Sequence, residues 1–145
     1  MLKSRLSSVA GLVLLAGCVS GPAAAETATE RATAHFDAIA QGRLAAVTAA
    51  YTEASTFQWV GGPLDGVYTG KAAIAEVWRK FTGAQGPLDV EVMNIAENAN
   101  PKGATVTADV KFLGKKTIPV RYVLTYRGDA LVSEIWQIDP KLGQY

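Results

Sequence analysis

The chain holds a single histidine, His35, and its spacing from Ala32 and Ile39 places it on the inward face of a helix. A neutral imidazole in a pocket can act as general acid or base near neutral pH without a large pKa shift. The same spacing suits a packed core histidine with one satisfied hydrogen bond, and both readings stand at this level. Aromatic residues are numerous for a small domain: Trp59, Trp78, Trp136, Phe36, Phe57, Tyr122 and Tyr126. Helix and strand periods account for most of them as core. Trp59, beside a glycine-rich loop, is required by no period and is the candidate ligand-stacking wall, with Phe36, Tyr126 and Trp136 as companions.

Other chemistries lack their residues. One histidine and one cysteine leave only scattered carboxylates, so no metal and no other cofactor is expected. Gly66-Val67-Tyr68-Thr69-Gly70-Lys71 imitates a phosphate loop, but it is one residue short and Ala72 stands where a serine or threonine is needed, so it reads as a turn entering a helix. A formal charge of +1 over 145 residues argues against nucleic acid as a partner. The only basic cluster, Lys115 and Lys116 near Lys111 and Arg121, reads as a solvated hairpin end rather than a phosphate site.

The elements that must position these side chains follow from periodicity. Ala32, His35, Phe36 and Ile39 make a first helix up to Gly42, and Leu44, Val47 and Tyr51 a short second one. A strand over Thr56 to Val60 leads into the loop Gly61 to Gly66. Ile74, Val77, Trp78 and Phe81 then match an amphipathic helix. Beyond Gly86-Pro87 the period becomes two, with Leu88, Val90 and Val92, then Val106, Ala108, Val110 and Phe112, alternating with polar residues. Turn signals at Asn100 to Gly103, Gly114 to Lys116 and Arg127 to Asp129 separate four strands, and connections this short join antiparallel neighbours. The expected fold is α+β, with three N-terminal helices packed on a curved antiparallel sheet over residues 28–140.

The N-terminus carries a different message. Lys3 and Arg5 precede the apolar run Val9 to Ala16, which ends in Leu15-Ala16-Gly17-Cys18. That run is too short to span a bilayer. It resembles a bacterial lipoprotein signal over residues 1–17, with acylation of Cys18 implied, followed by a tether over 18–27. The resemblance places the chain at the cell envelope, facing the periplasm, with Val19 favouring the outer membrane. Cleavage after Ala23-Ala24-Ala25 is the competing reading and would release a soluble periplasmic or secreted protein. Removal of residues 1–17 takes the formal charge from +1 to −1. Cys18 being the only cysteine, no intramolecular disulfide can form.

The order of elements, with His35 to Gly42, Tyr51 to Phe57, Tyr68 to Ile74 and Ile135 to Asp139, resembles the nuclear transport factor 2-like superfamily, including its SnoaL-like and ketosteroid isomerase-like branches. The resemblance implies a cone, a bent sheet wrapped around the first helix with a mostly apolar pocket between them. It places His35 where the isomerase branch has a tyrosine oxyanion donor, and Tyr122 where that branch has an aspartic acid. A two-donor site from His35 and Tyr122 is chemically conceivable. The branch's carboxylate base has no counterpart in Gln58 to Gly61, and Asp65 could replace it only if its loop folds over the mouth. The Asp-Arg-Asp set of an epoxide hydrolase in this superfamily is absent, because Val123 stands two after Arg121, and a scytalone-type dehydratase needs a second histidine.

Three functions are consistent with these residues: a module binding a small apolar ligand, a cofactor-free enzyme using His35 as acid-base, and an assembly or homodimer surface on the outer sheet face. Exposure of Val123, Val132 or Trp136 would favour the last. Thr105, Thr107, Asp109 and Lys111 make one strand polar on that face and weigh against it.

Overall fold

The computed structural model describes residues 21–144. Cys18, the apolar run and the lipoprotein signal lie outside the described residues. Helix α1 (Ala28–Ala40) starts at a capping box in which the Glu30 amide donates to Thr27 Oγ1 at 3.1 Å and the Thr27 amide to Glu30 Oε2 at 2.7 Å. The Thr27 amide, and then the Thr27 hydroxyl donating to the same oxygen at 3.1 Å, hold the Glu30 carboxyl below its ordinary pKa. The helix stops where Gly42 takes a φ of +66°. Ala32, His35, Phe36 and Ile39 form its buried face, as their spacing predicts. The short α2 (Leu44–Thr48) buries Val47, and α3 (Lys71–Gln85) buries Ile74, Val77, Trp78 and Phe81.

Six strands form one sheet: β1 (Thr56–Val60), β2 (Gly66–Thr69), β3 (Asp89–Asn100), β4 (Gly103–Leu113), β5 (Thr117–Arg127) and β6 (Ala130–Ile138), in the order β2-β1-β6-β5-β4-β3. Two expectations are corrected. The segment Gly66 to Thr69, read as a turn, is a strand paired with β1. The sheet, expected to be antiparallel throughout, has one parallel pair, with β1 running alongside β6 so that Trp59 stands opposite Trp136. The intervening chain contains a helix and four strands, ample length for such a crossover.

The inner sheet face carries Phe57 and Trp59 of β1, Val106, Ala108, Val110 and Phe112 of β4, Val120, Tyr122 and Leu124 of β5, and Trp136 of β6, all buried against the helices. Bulges bend the sheet around α1, one in β3 between Met93 and Ala96 with Asn94 at a φ of 50°, the other where β6 meets β5. In the second, Thr125 faces Ser133 but Tyr126 faces Leu131, so Val132 is the extra residue. On the outer face Arg121 Nη1 donates to Asp109 Oδ1 at 3.3 Å, which confirms that Arg121 and Tyr122 point to opposite sides. Val123 and Val132 are half-buried and Trp136 is inside. Among the described residues no helix is long and apolar enough to cross a membrane.

Candidate functional site

The fold brings together two sites of opposite character. The first is a buried polar quartet inside the cone. The bulge at Val132 puts Glu134, three residues after buried Leu131, on the inner face, where it is fully buried. Unpaired, a carboxylate there would be costly, and both of its oxygens are occupied. His35 Nε2 lies 3.0 Å from Oε1, and the Tyr51 hydroxyl donates to Oε2. Trp78 Nε1 donates in turn to Tyr51 Oη at 2.9 Å. With a carboxylate as partner, the proton of a neutral His35 is assigned to Nε2. Burial, and then the charge of Glu134, push the Tyr51 phenol well above its ordinary value.

Tyr122 does not join the quartet through a hydrogen bond. Its ring packs on Phe36 at 4.6 Å and edge-on to Trp136 at 5.4 Å, and its hydroxyl has no partner among the described residues. Burial is the main cause that raises its pKa, with the Glu134 charge next.

The second site is an apolar cleft of about 500 Å³ at one end of the cone. The parallel pairing builds it, since β1 and β6 then end on the same edge and present Trp59 and Ile138 together. Phe81 and Ala84 come from the last turns of α3, Ile118 and Pro119 from the start of β5, and Pro63 and Leu64 from the loop between β1 and β2. That loop is tightly braced. Asp65 Oδ1 accepts from the Gly61 amide at 2.7 Å, and the Tyr68 hydroxyl donates to the Leu64 carbonyl at 2.8 Å. Gly62 has a φ of +73°, and a Cβ there would sit 3.0 Å from Ile138 Cδ1, so a side chain would strain the backbone and press on Ile138. Trp59 stacks on Trp136 at 4.5 Å, and Trp136 on Phe112 at 5.1 Å, giving the cleft a rigid aromatic backing. The indole N–H groups of Trp59 and Trp136 are buried without a partner among the described residues.

Of the residues singled out in the sequence, Trp59 lines the cleft and Trp136 supports it from behind. Phe36 is core, and Asp65 is engaged in its own loop. Tyr126 lies towards the far end of β5, under the Arg31 guanidinium at 4.4 Å. His35 and Tyr122 are buried and line no part of the cleft. Glu134 and the roles of Tyr51 and Trp78 were missed. The available signal was the one charged residue in the stretch Leu131 to Ile138, together with a helix-face histidine that needs a partner. Among the described residues no group of three His, Cys, Asp or Glu could hold a metal.

A bent sheet closed by α1, with an apolar cleft at its end, is the architecture of the nuclear transport factor 2-like proteins. The chain belongs to the SnoaL-like domain family, which matches residues 32–132. No curated protein sequence matches it. Among solved structures it is similar to a nuclear transport factor 2-like protein of unknown function from Pseudomonas putida, at 17% identity and a TM-score of 0.65 over 74% of this chain and 81% of that one. A proposed dehydratase of the same family from Streptomyces avermitilis gives 13% and 0.64 over 76% and 92%. An epoxide hydrolase from M. tuberculosis gives 14% and 0.57 over 77% and 81%. At these identities the likeness is one of fold.

Proposed function

We propose that this SnoaL-like domain binds a small, largely apolar ligand in the cleft backed by Trp59, and that it does so in the cell envelope, tethered through acylated Cys18. The cleft carries the reading: it is of the size usual for small-molecule sites, and its apolar walls come from five separate elements held by hydrogen bonds and ring stacking. Release as a soluble protein after Ala25 is the alternative location.

A second reading, cofactor-free proton transfer, draws on the His35–Glu134 pair, a carboxylate orienting an imidazole. It requires substrate to reach a residue that is 7% exposed and packed against Trp78, so binding stands first.

Native mass spectrometry of the protein purified from its own envelope tests the binding reading. A co-purifying small molecule, absent from Ala84→Trp with its filled cleft, is expected; equal retention by that variant would place the ligand elsewhere. Comparison with Cys18→Ser reads the acyl mass in the same spectra.

A further inference from the structure

The walls of the cleft are apolar, but its rim is not neutral. Two of its lining residues are cations, Lys80 on α3 and Lys116 at the turn between β4 and β5, and no aspartate or glutamate lines it. The nearest carboxylate on the same helix, Glu76, is 4.0 Å from Lys80 Nζ, while both of its oxygens accept from Arg79, at 2.9 and 2.7 Å. That pair of hydrogen bonds from Arg79 is the main cause that lowers the Glu76 pKa, and Lys80 makes the longer contact. Lys116 lines the cleft from the turn between β4 and β5, and among the described residues it makes no ion pair.

Resting on the binding reading above, we infer that the occupant is a single-chain amphiphile with an anionic head, a carboxylate held between Lys80 and Lys116 while its chain lies against Trp59, Phe81 and Ile118. The volume sets the chain count. A cleft of about 500 Å³ is of a size to hold one medium-length acyl chain and its carboxylate, with less room for a second chain. The charge arrangement sets the head: an ammonium group would meet two cations, and an uncharged alcohol would forgo both ion pairs.

The test is titration of the folded protein with decanoate, decanol and decyltrimethylammonium, followed by quenching of tryptophan fluorescence and by calorimetry, in the wild type, Lys80→Gln/Lys116→Gln, Lys80→Arg/Lys116→Arg and Ala84→Trp. Because both lysines are at the rim, the substitutions leave the core intact, and circular dichroism verifies this. The expected result is a preference for decanoate over decanol that falls about tenfold in the glutamine variant, is retained in the arginine variant and weakens with salt, with the cation binding least. Equal binding of decanoate and decanol, with no change in the glutamine variant, would overturn the anionic head and leave the apolar cleft standing. Failure of every ligand to bind the wild type, or undiminished binding to Ala84→Trp, would overturn both.

Discussion

The quartet and the cleft lie on the two sides of one aromatic cluster, Trp78, Trp59, Trp136 and Phe81, and they solve opposite problems. Around Glu134 the chain has buried a carboxylate and satisfied it with His35 and Tyr51, the latter held in turn by Trp78. At the cleft it has left apolar surface partly uncovered, where nothing polar needs satisfying and a ligand can complete the burial. On the binding reading, polarity in the interior serves stability and apolarity at the edge serves the ligand. An inventory of residue types would suggest the reverse, since histidine and glutamate are the usual signs of chemistry.

The separation can be broken at either side. Glu134→Ala should be the most damaging change, because it leaves His35 and Tyr51 without their partner in a dry interior; a loss of about 3–5 kcal/mol in denaturant titration is expected. A loss below about 1 kcal/mol would mean that water or a neighbour replaces the carboxylate easily. Tyr51→Phe removes a donor to Glu134 and the acceptor of Trp78 Nε1, and should cost about 2 kcal/mol while ligand affinity in the refolded protein stays unchanged. Ala84→Trp should do the opposite, abolishing binding while the unfolding midpoint moves by less than about 0.5 kcal/mol in free energy.

The smallest effect sharpens the comparison further. Tyr122→Phe removes a hydroxyl that makes no hydrogen bond of ordinary geometry among the described residues, so stability at neutral pH should hold or rise by about a few tenths of a kcal/mol. Its signature is alkaline. Tyr51 and Tyr122 both have folded pKa values above the ordinary 10.0, so their contribution is intact below that pH and is lost as pH climbs past it, when the unfolded phenols give up protons that the folded ones retain. The decline in stability above pH 10.0 should be shallower in Tyr122→Phe; an identical slope would show that Tyr122 titrates normally in the fold.

Local periodicity carried the sequence reading a long way. Helices α1 and α3, the long strands and their inward faces follow from spacings of three to four and of two, because each residue's face there is decided by its near neighbours. What escaped depends on distant pairing. The parallel match of β1 with β6 joins segments far apart in the chain, and it is this pairing that sets Ile138 beside Trp59. Glu134 was hidden by one extra residue: counted by twos from Leu131 it falls outside, and only the bulge at Val132 returns it to the interior. Trp59 was picked out because it fitted no period, whereas Phe81 and Ile118 lay in periodic elements and Leu64 in a loop, with no sign that they meet at a shared edge.

Strand β5 runs the length of the cone, from Thr117 at the cleft to Arg127 beside the turn whose Gly128 carbonyl accepts from Arg31 on the first turns of α1. Eleven residues of strand at about 3.3 Å each separate the mouth from the point where the N-terminal segment enters the fold by roughly 35 Å. A support holding the chain by its N-terminus, whether a membrane or a chromatography resin, therefore grips the end opposite the mouth. If the cleft binds its ligand as proposed, exchange would then proceed at the same rate for immobilised and free protein.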